Sequence, residues 1–204
     1  KKIGFYWNGT TCFKAYEAQL RAVGADIENT YAFDLGIPGW AETYPDKTIL
    51  LGKPMSESSV SWIPKSQFEG KCLTWEDFKS IAAQDGVRVI DARDNVQKGF
   101  MTTVAEAELS QEEKSILEEF RQKNTAMLDE LSVKNKVIAQ PFDQLIKNII
   151  QKEKFQDQTL LIFDQVGKQV RWLMYHLEIA GYSSYYFLSD GAYGVIGIQA
   201  YSKK

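Results

Sequence analysis

Residues 160–191 read LLIFDQVGKQVRWLMYHLEIAGYSSYYFLSDG. The run at 159–163 (TLLIF) is apolar throughout, as expected of a strand buried on both faces of a parallel sheet. A short loop containing Gly167 follows, then a helix over 169–180 closed by Ala-Gly-Tyr, then a second strand over 185–188. Gly191, Gly194 and Gly197 read as the turn after it. Residues 3–36, IGFYWNGTTCFKAYEAQLRAVGADIENTYAFDLG, pass through the same order. From Asp164 to Gly181 and from Trp7 to Gly24 the interval is the same 17 residues. Self-similarity of this length implies two copies of one supersecondary unit. A repeated strand–helix–strand predicts an α/β fold, with a parallel central sheet flanked by helices.

A strand that feeds a helix through a tight loop aims several backbone N–H groups at one point, where the helix terminus adds roughly half a positive charge. Such a cradle suits an anion or a thiolate. The residue closing the strand stands at its mouth, and here those residues are Trp7 and Asp164. The two cradle loops are Trp7, Asn8, Gly9, Thr10, Thr11, Cys12 and Asp164, Gln165, Val166, Gly167, Lys168, Gln169.

This order of elements resembles the rhodanese-like (sulfurtransferase) family, in which a strand ending in the catalytic cysteine leads through a six-residue loop into a helix ending near Gly-Tyr. Residues 5–45 look like the C-terminal half of such a module, and their loop is similar to a variant with Tyr-Cys-Asn-Gly-x-x-Cys. Residues 86–204 look like a whole module: GVRVIDARD (86–94) resembles the family's Asp-x-Arg strand and turn, and QPFDQL (140–145) the entry to its next helix. The resemblance implies a tandem arrangement: 1–45 an incomplete first module, 46–72 a linker, and 73–204 a module with a helical insertion near 104–135. It also implies a persulfide-forming cysteine at the strand end, and there the chain departs. Trp7 offers no nucleophile and the carboxylate of Asp164 carries no sulfane sulfur. Where family members often place an arginine, Cys12 and Gln169 stand. The family's chemistry is therefore expected to be lost, leaving a pseudoenzyme that binds another protein chain or complex, or a small anion held in the loop. The alternative is a sulfur carrier using Cys12 as its persulfide site. A third reading is a redox pair of Cys12 and Cys72.

The remaining composition narrows the classes. A net charge of −3 and a pI near 5.4 lack the concentrated basic face of a nucleic-acid binder. No apolar run reaches the 18 residues of a membrane span, and two cysteines make no disulfide framework. Neither a metal nor a cofactor is expected. The chain opens on Lys-Lys-Ile and enters a strand at once. A piece of about 45 residues seldom folds alone, so the expectation is a sequence lying inside a larger gene product, or a first unit completed by the second module or by another chain. Cytoplasmic and exported locations both stand.

Along the chain, a helix over 12–23 presents Phe13, Tyr16, Leu20 and Val23 on one face, and the 36–40 segment reads as a turn with Trp40 in the core. Thr74 caps a helix over 75–83, and Ser110 with Glu113 forms a capping box before a long amphipathic helix. That helix reads as packed over its own module, as a lid over the Asp164 loop, or as a docking helix. A further helix is expected over 142–151. Asp91 and Arg93 read as an ion pair fixing a strand end, or Arg93 as an anion contact beside Asp164. His176, mid-helix, reads as a packing residue. Asp164 itself reads as a carboxylate occupying its own cradle with a lowered pKa, the functional alternative being a general base or Mg²⁺ ligand.

Overall fold

The computed structural model describes residues 1–6, 14–55, 61–99 and 105–197. Expectations placed on Trp7, Asn8, Gly9, Thr10, Thr11, Cys12 and Phe13, on residues 56–60 and 100–104, and on the Lys-rich terminus lie outside the described residues. The chain divides into two compact units, Lys1–Trp62 and Ile63–Lys204.

In the first unit, β1 (Ile3–Tyr6) and β2 (Thr30–Phe33) pair in parallel, connected through α1 (Lys14–Gly24) and followed by α2 (Gly36–Thr43). An antiparallel pair, β3 (Ile49–Leu50) and β4 (Lys53–Pro54), comes after. Two expectations fail here. The 36–40 segment is the start of a helix, and Trp40 is exposed, packing edge-on against Phe33 at 6.4 Å and over Tyr44 at 4.7 Å. On α1 the buried residues are Ala15 and Ala22, whereas Leu20 is 69 % exposed and Tyr16 and Val23 are exposed too. Helical periodicity marks an apolar face. It does not supply the layer that would cover it.

The second unit runs α3 (Lys65–Glu69), β5 (Cys72–Leu73), α4 (Trp75–Ala82), β6 (Val87–Asp91), α5 (Gln111–Leu131), β7 (Ile138–Ala139), α6 (Phe142–Leu145) continuing into a π-helical turn over Ile146–Ile150, β8 (Thr159–Phe163), α7 (Val170–Ile179), β9 (Tyr185–Leu188) and α8 (Gly191–Ile196). Its five strands form one all-parallel sheet in the order β5-β9-β8-β6-β7, flanked by helices. The α/β architecture with a parallel central sheet thus holds. Part of the stretch read as linker belongs to this unit: Phe68 on α3 packs against Phe187 at 5.7 Å, and Cys72 lies in the edge strand β5. Residues 191–196, read as a glycine turn, are a helix ended by Gly197.

Alternation along the strands sorts the core into two layers. Leu161, Phe163 and Leu188 face α4, α5 and α8, meeting Phe78, Phe120, Met127, Leu131, Ala192 and Ile196. Phe78 meets Phe163 edge-on at 6.3 Å. On the opposite side the Tyr185 and Phe187 rings meet at a tilt, 5.5 Å apart, and Phe187 meets Phe68 of α3. Both expected caps are present: Thr74 accepts from the Asp77 N–H at 3.2 Å, and Ser110 with Glu113 closes a reciprocal capping box that starts α5. Phe120, Met127 and Leu131 place α5 over its own unit.

The repeat is realised in register. The second unit pairs Leu160 with Tyr185, Leu161 with Tyr186 and Ile162 with Phe187. The first pairs Ile3 with Thr30, Gly4 with Tyr31 and Phe5 with Ala32. These are equivalent positions of the repeat, and each second strand runs on into a helix opened by a positive-φ glycine, Gly36 at 59° and Gly191 at 60°.

Candidate functional site

Between β8 and β6 the connections diverge, β6 leading outward to β7 and β8 to β9. In open parallel sheets a crevice forms at the carboxyl ends of strands where the order reverses in this way. β6 ends in Asp91 and β8 in Phe163, and the Ala92 N–H donates to the Phe163 carbonyl at 2.9 Å, locking the two ends together. Arg93 and the Asp164 loop therefore follow adjoining strand ends, at the position where sheets of this kind hold ligands.

The Asp164 carboxylate is buried and accepts four backbone hydrogen bonds. Oδ1 receives the N–H of Val166 at 3.0 Å and that of Gly167, and Oδ2 receives Gln169 at 2.6 Å and Val170 at 3.0 Å. Val170 begins α7, so loop and helix terminus converge on one side chain. Lys168 and Gln169 are only partly buried, at the rim of this loop. Tight packing holds the loop closed. Gly167 has φ +68°, and a Cβ there would sit 2.7 Å from the Asp190 nitrogen. A Cβ on Gly191 would sit 2.5 Å from the Gly167 nitrogen. Either methyl group would push two backbone segments apart.

Burial raises the Asp164 pKa, and the four N–H bonds oppose it; burial is the larger effect, so the carboxyl lies above its ordinary value. This reverses the direction expected from the hydrogen bonds alone. An added anion would meet a carboxylate where it needs donors, because the convergent N–H groups are already used. The small anion expected in the loop is therefore not accommodated while Asp164 holds it.

Arg93 is equally committed. Its Nε and Nη2 each donate to Asp91 at 2.9 Å, its backbone N–H does so at 3.1 Å, and Nη1 reaches Gln165 Oε1 at 3.3 Å. The guanidinium lies 5.0 Å over the Phe163 ring. Both members of the pair are buried. Asp91 and Arg93 tie the end of β6 to the Asp164 loop through Gln165, and in this arrangement Arg93 has its carboxylate partner within its own turn.

His176 is half-buried on α7, and burial lowers its pKa. Cys72 is a free thiol; it donates to the Phe68 carbonyl at 3.4 Å, and burial pushes it up to about 11. Among the described residues no three His, Cys, Asp or Glu side chains converge as a metal site would require.

Two buried polar residues of this unit, Lys98 and Asn124, escape a reading of the sequence. Lys98 is buried in the turn after β6, and Gln97 beside it donates to Gln169 Oε1 at 3.4 Å. Asn124 is fully buried on α5, and among the described residues neither atom of its amide has a hydrogen-bond partner. Gln165 Nε2 likewise has none among them. Asn124 carried a signal, a polar residue at the spacing of Phe120, Met127 and Leu131 on an apolar stripe. Lys98 carried none, since only the turn's path buries it.

Compared with known proteins, the chain matches no family model and no curated sequence.

Proposed function

We propose that this chain is a catalytically silent, rhodanese-like protein that acts as a binding or scaffolding subunit, its partner being another protein chain or complex. One observation carries the reading: a carboxylate, not a thiolate, takes the four convergent N–H groups of the Asp164 loop. A sulfur-transfer site needs a nucleophile at that point and donors free to hold the incoming anion. Asp164 is the wrong group and consumes those donors. The Asp-x-Arg turn and the order of elements support descent from such a site, and the Asp91–Arg93 pair with its Gln165 link supports an architectural role for what remains.

The test is turnover by the native chain with thiosulfate and cyanide. Thiocyanate at the rate of buffer alone is the expected result. Sustained production that is lost in Cys12→Ser would replace this reading with sulfur transfer through Cys12.

A further inference from the structure

We infer that the open face of the first unit's sheet, formed by Tyr6, Tyr31 and Phe33 and extended by Trp40 and Tyr44, is the docking surface for an amphipathic, acid-bordered helix of a partner protein. The inference deepens the binding role proposed above by naming where and what the chain binds. In a parallel pair in register, Gly4, Tyr6, Tyr31 and Phe33 share one side. Their equivalents in the second unit are Leu161, Phe163, Tyr186 and Leu188, and helices α4 and α5 cover that side through Phe78, Phe120 and Met127. The repeat thus shows what such a face takes as its cover: helices with an apolar stripe.

On the first unit the described residues leave the same face exposed. Tyr6 is 61 % exposed, Tyr31 51 %, Trp40 42 %, Tyr44 41 % and Phe33 36 %. At about 200 Å² per ring this leaves roughly 450 Å² of aromatic surface free. That is well short of the ~800 Å² per partner of a standard protein–protein interface, but suits one helix laid into a groove. The face has a seat. Among the described residues nothing lies within 4 Å of where a Cβ on Gly4 would stand, at the position where the second unit has the buried side chain of Leu161. An apolar side chain of the incoming helix fits there between Tyr6 and Tyr31. Charge sets the borders: Lys2 Nζ lies 5.8 Å from the Tyr31 ring centroid and Lys47 Nζ 5.2 Å from that of Tyr44. Two lysines along an aromatic face favour a helix with acidic flanks.

The probe is a capped synthetic peptide of residues 110–132, whose helix covers the equivalent face in the second unit and carries Glu112, Glu113, Glu118 and Glu119. Titrated against the full chain, it binds; Tyr31→Glu and Gly4→Leu each weaken it at least tenfold, and a scrambled peptide of the same composition binds no better than to Tyr31→Glu. Circular dichroism of both variants confirms folding, which these exposed positions leave intact. No binding to the native chain, or binding by the two variants as tight as by the native chain, overturns the inference. So does a concentration-dependent dimer abolished by Tyr31→Glu, which would give the face to a second copy. Thiocyanate turnover by the native chain would overturn the silent role and leave this titration readable, so the two failures are distinguishable.

Discussion

Ile3 to Phe33 and Leu160 to Leu188 are the same strand–helix–strand path in the same register, yet their surroundings differ. In the second copy β8 lies between β9 and β6, and helices seal both faces, so Leu160, Leu161, Ile162 and Phe163 have no measurable exposure. In the first copy β1 pairs, among the described residues, with β2 alone, and Tyr6, Tyr31 and Phe33 remain exposed. Local sequence sets the unit, its register and its glycine-opened following helix. Burial is a property of the layers around it, and those come from elsewhere in a chain.

The comparison breaks most visibly under paired truncation. Leu188→Ala removes a fully packed side chain and should cost about 2–5 kcal/mol. Phe33→Ala, at the equivalent position, should cost under about 1 kcal/mol because its ring is already partly in water. Urea unfolding of both variants measures this, and equal losses would mean that the first unit's face is covered.

Asp164→Ala comes next. It leaves four N–H groups without their acceptor, each worth about 1–3 kcal/mol when buried and unpaired. Partial hydration should hold the total near 4 kcal/mol. The same group gives a pH signature. Because its pKa is raised in the folded state, its contribution to stability is fully present below the ordinary value of 3.8 and is lost as pH rises through the folded pKa. Asp164→Asn, which cannot titrate, should lack that component of the pH dependence, as parallel denaturation curves at several pH values would show.

The smallest effect concerns Cys72. With its pKa at about 11, only about one thiol in 10³ is ionised at pH 8. Its alkylation by iodoacetamide, followed by peptide mass, should rise nearly tenfold per pH unit up to pH 10. A rate that levels off near pH 8 would restore a reactive thiol to the redox reading.

Much of this was legible in the sequence, for physical reasons. TLLIF admits few structures other than a central strand, and Ser110 with Glu113 announces a helix start through its own hydrogen bonds. Trp40 reads as core in the sequence because a large aromatic is usually buried, a rule that assumes a second layer to pack against. Gly36–Gly39 and Gly191–Gly194 looked like turns, since glycine marks both turns and close-packed first helical turns; a Cβ on Gly39 or Gly194 would crowd the residue just before its helix. The cradle around Asp164 was readable from loop and helix order, but its raised pKa depends on burial supplied by α8 and the 190–191 backbone, which no local pattern encodes. Lys98 and Asn124 are buried only through the tertiary path.

We propose that Asp164 sits where a sulfur nucleophile would be held, and intact mass after incubation with thiosulfate, on the native chain and on Asp164→Cys, tests this. The expected result is an unchanged native mass and a gain of about 32 Da on Asp164→Cys, one sulfur taken up as a persulfide with sulfite leaving. A 32 Da gain on the native chain, or an Asp164→Cys chain that folds and stays unmodified, would contradict it.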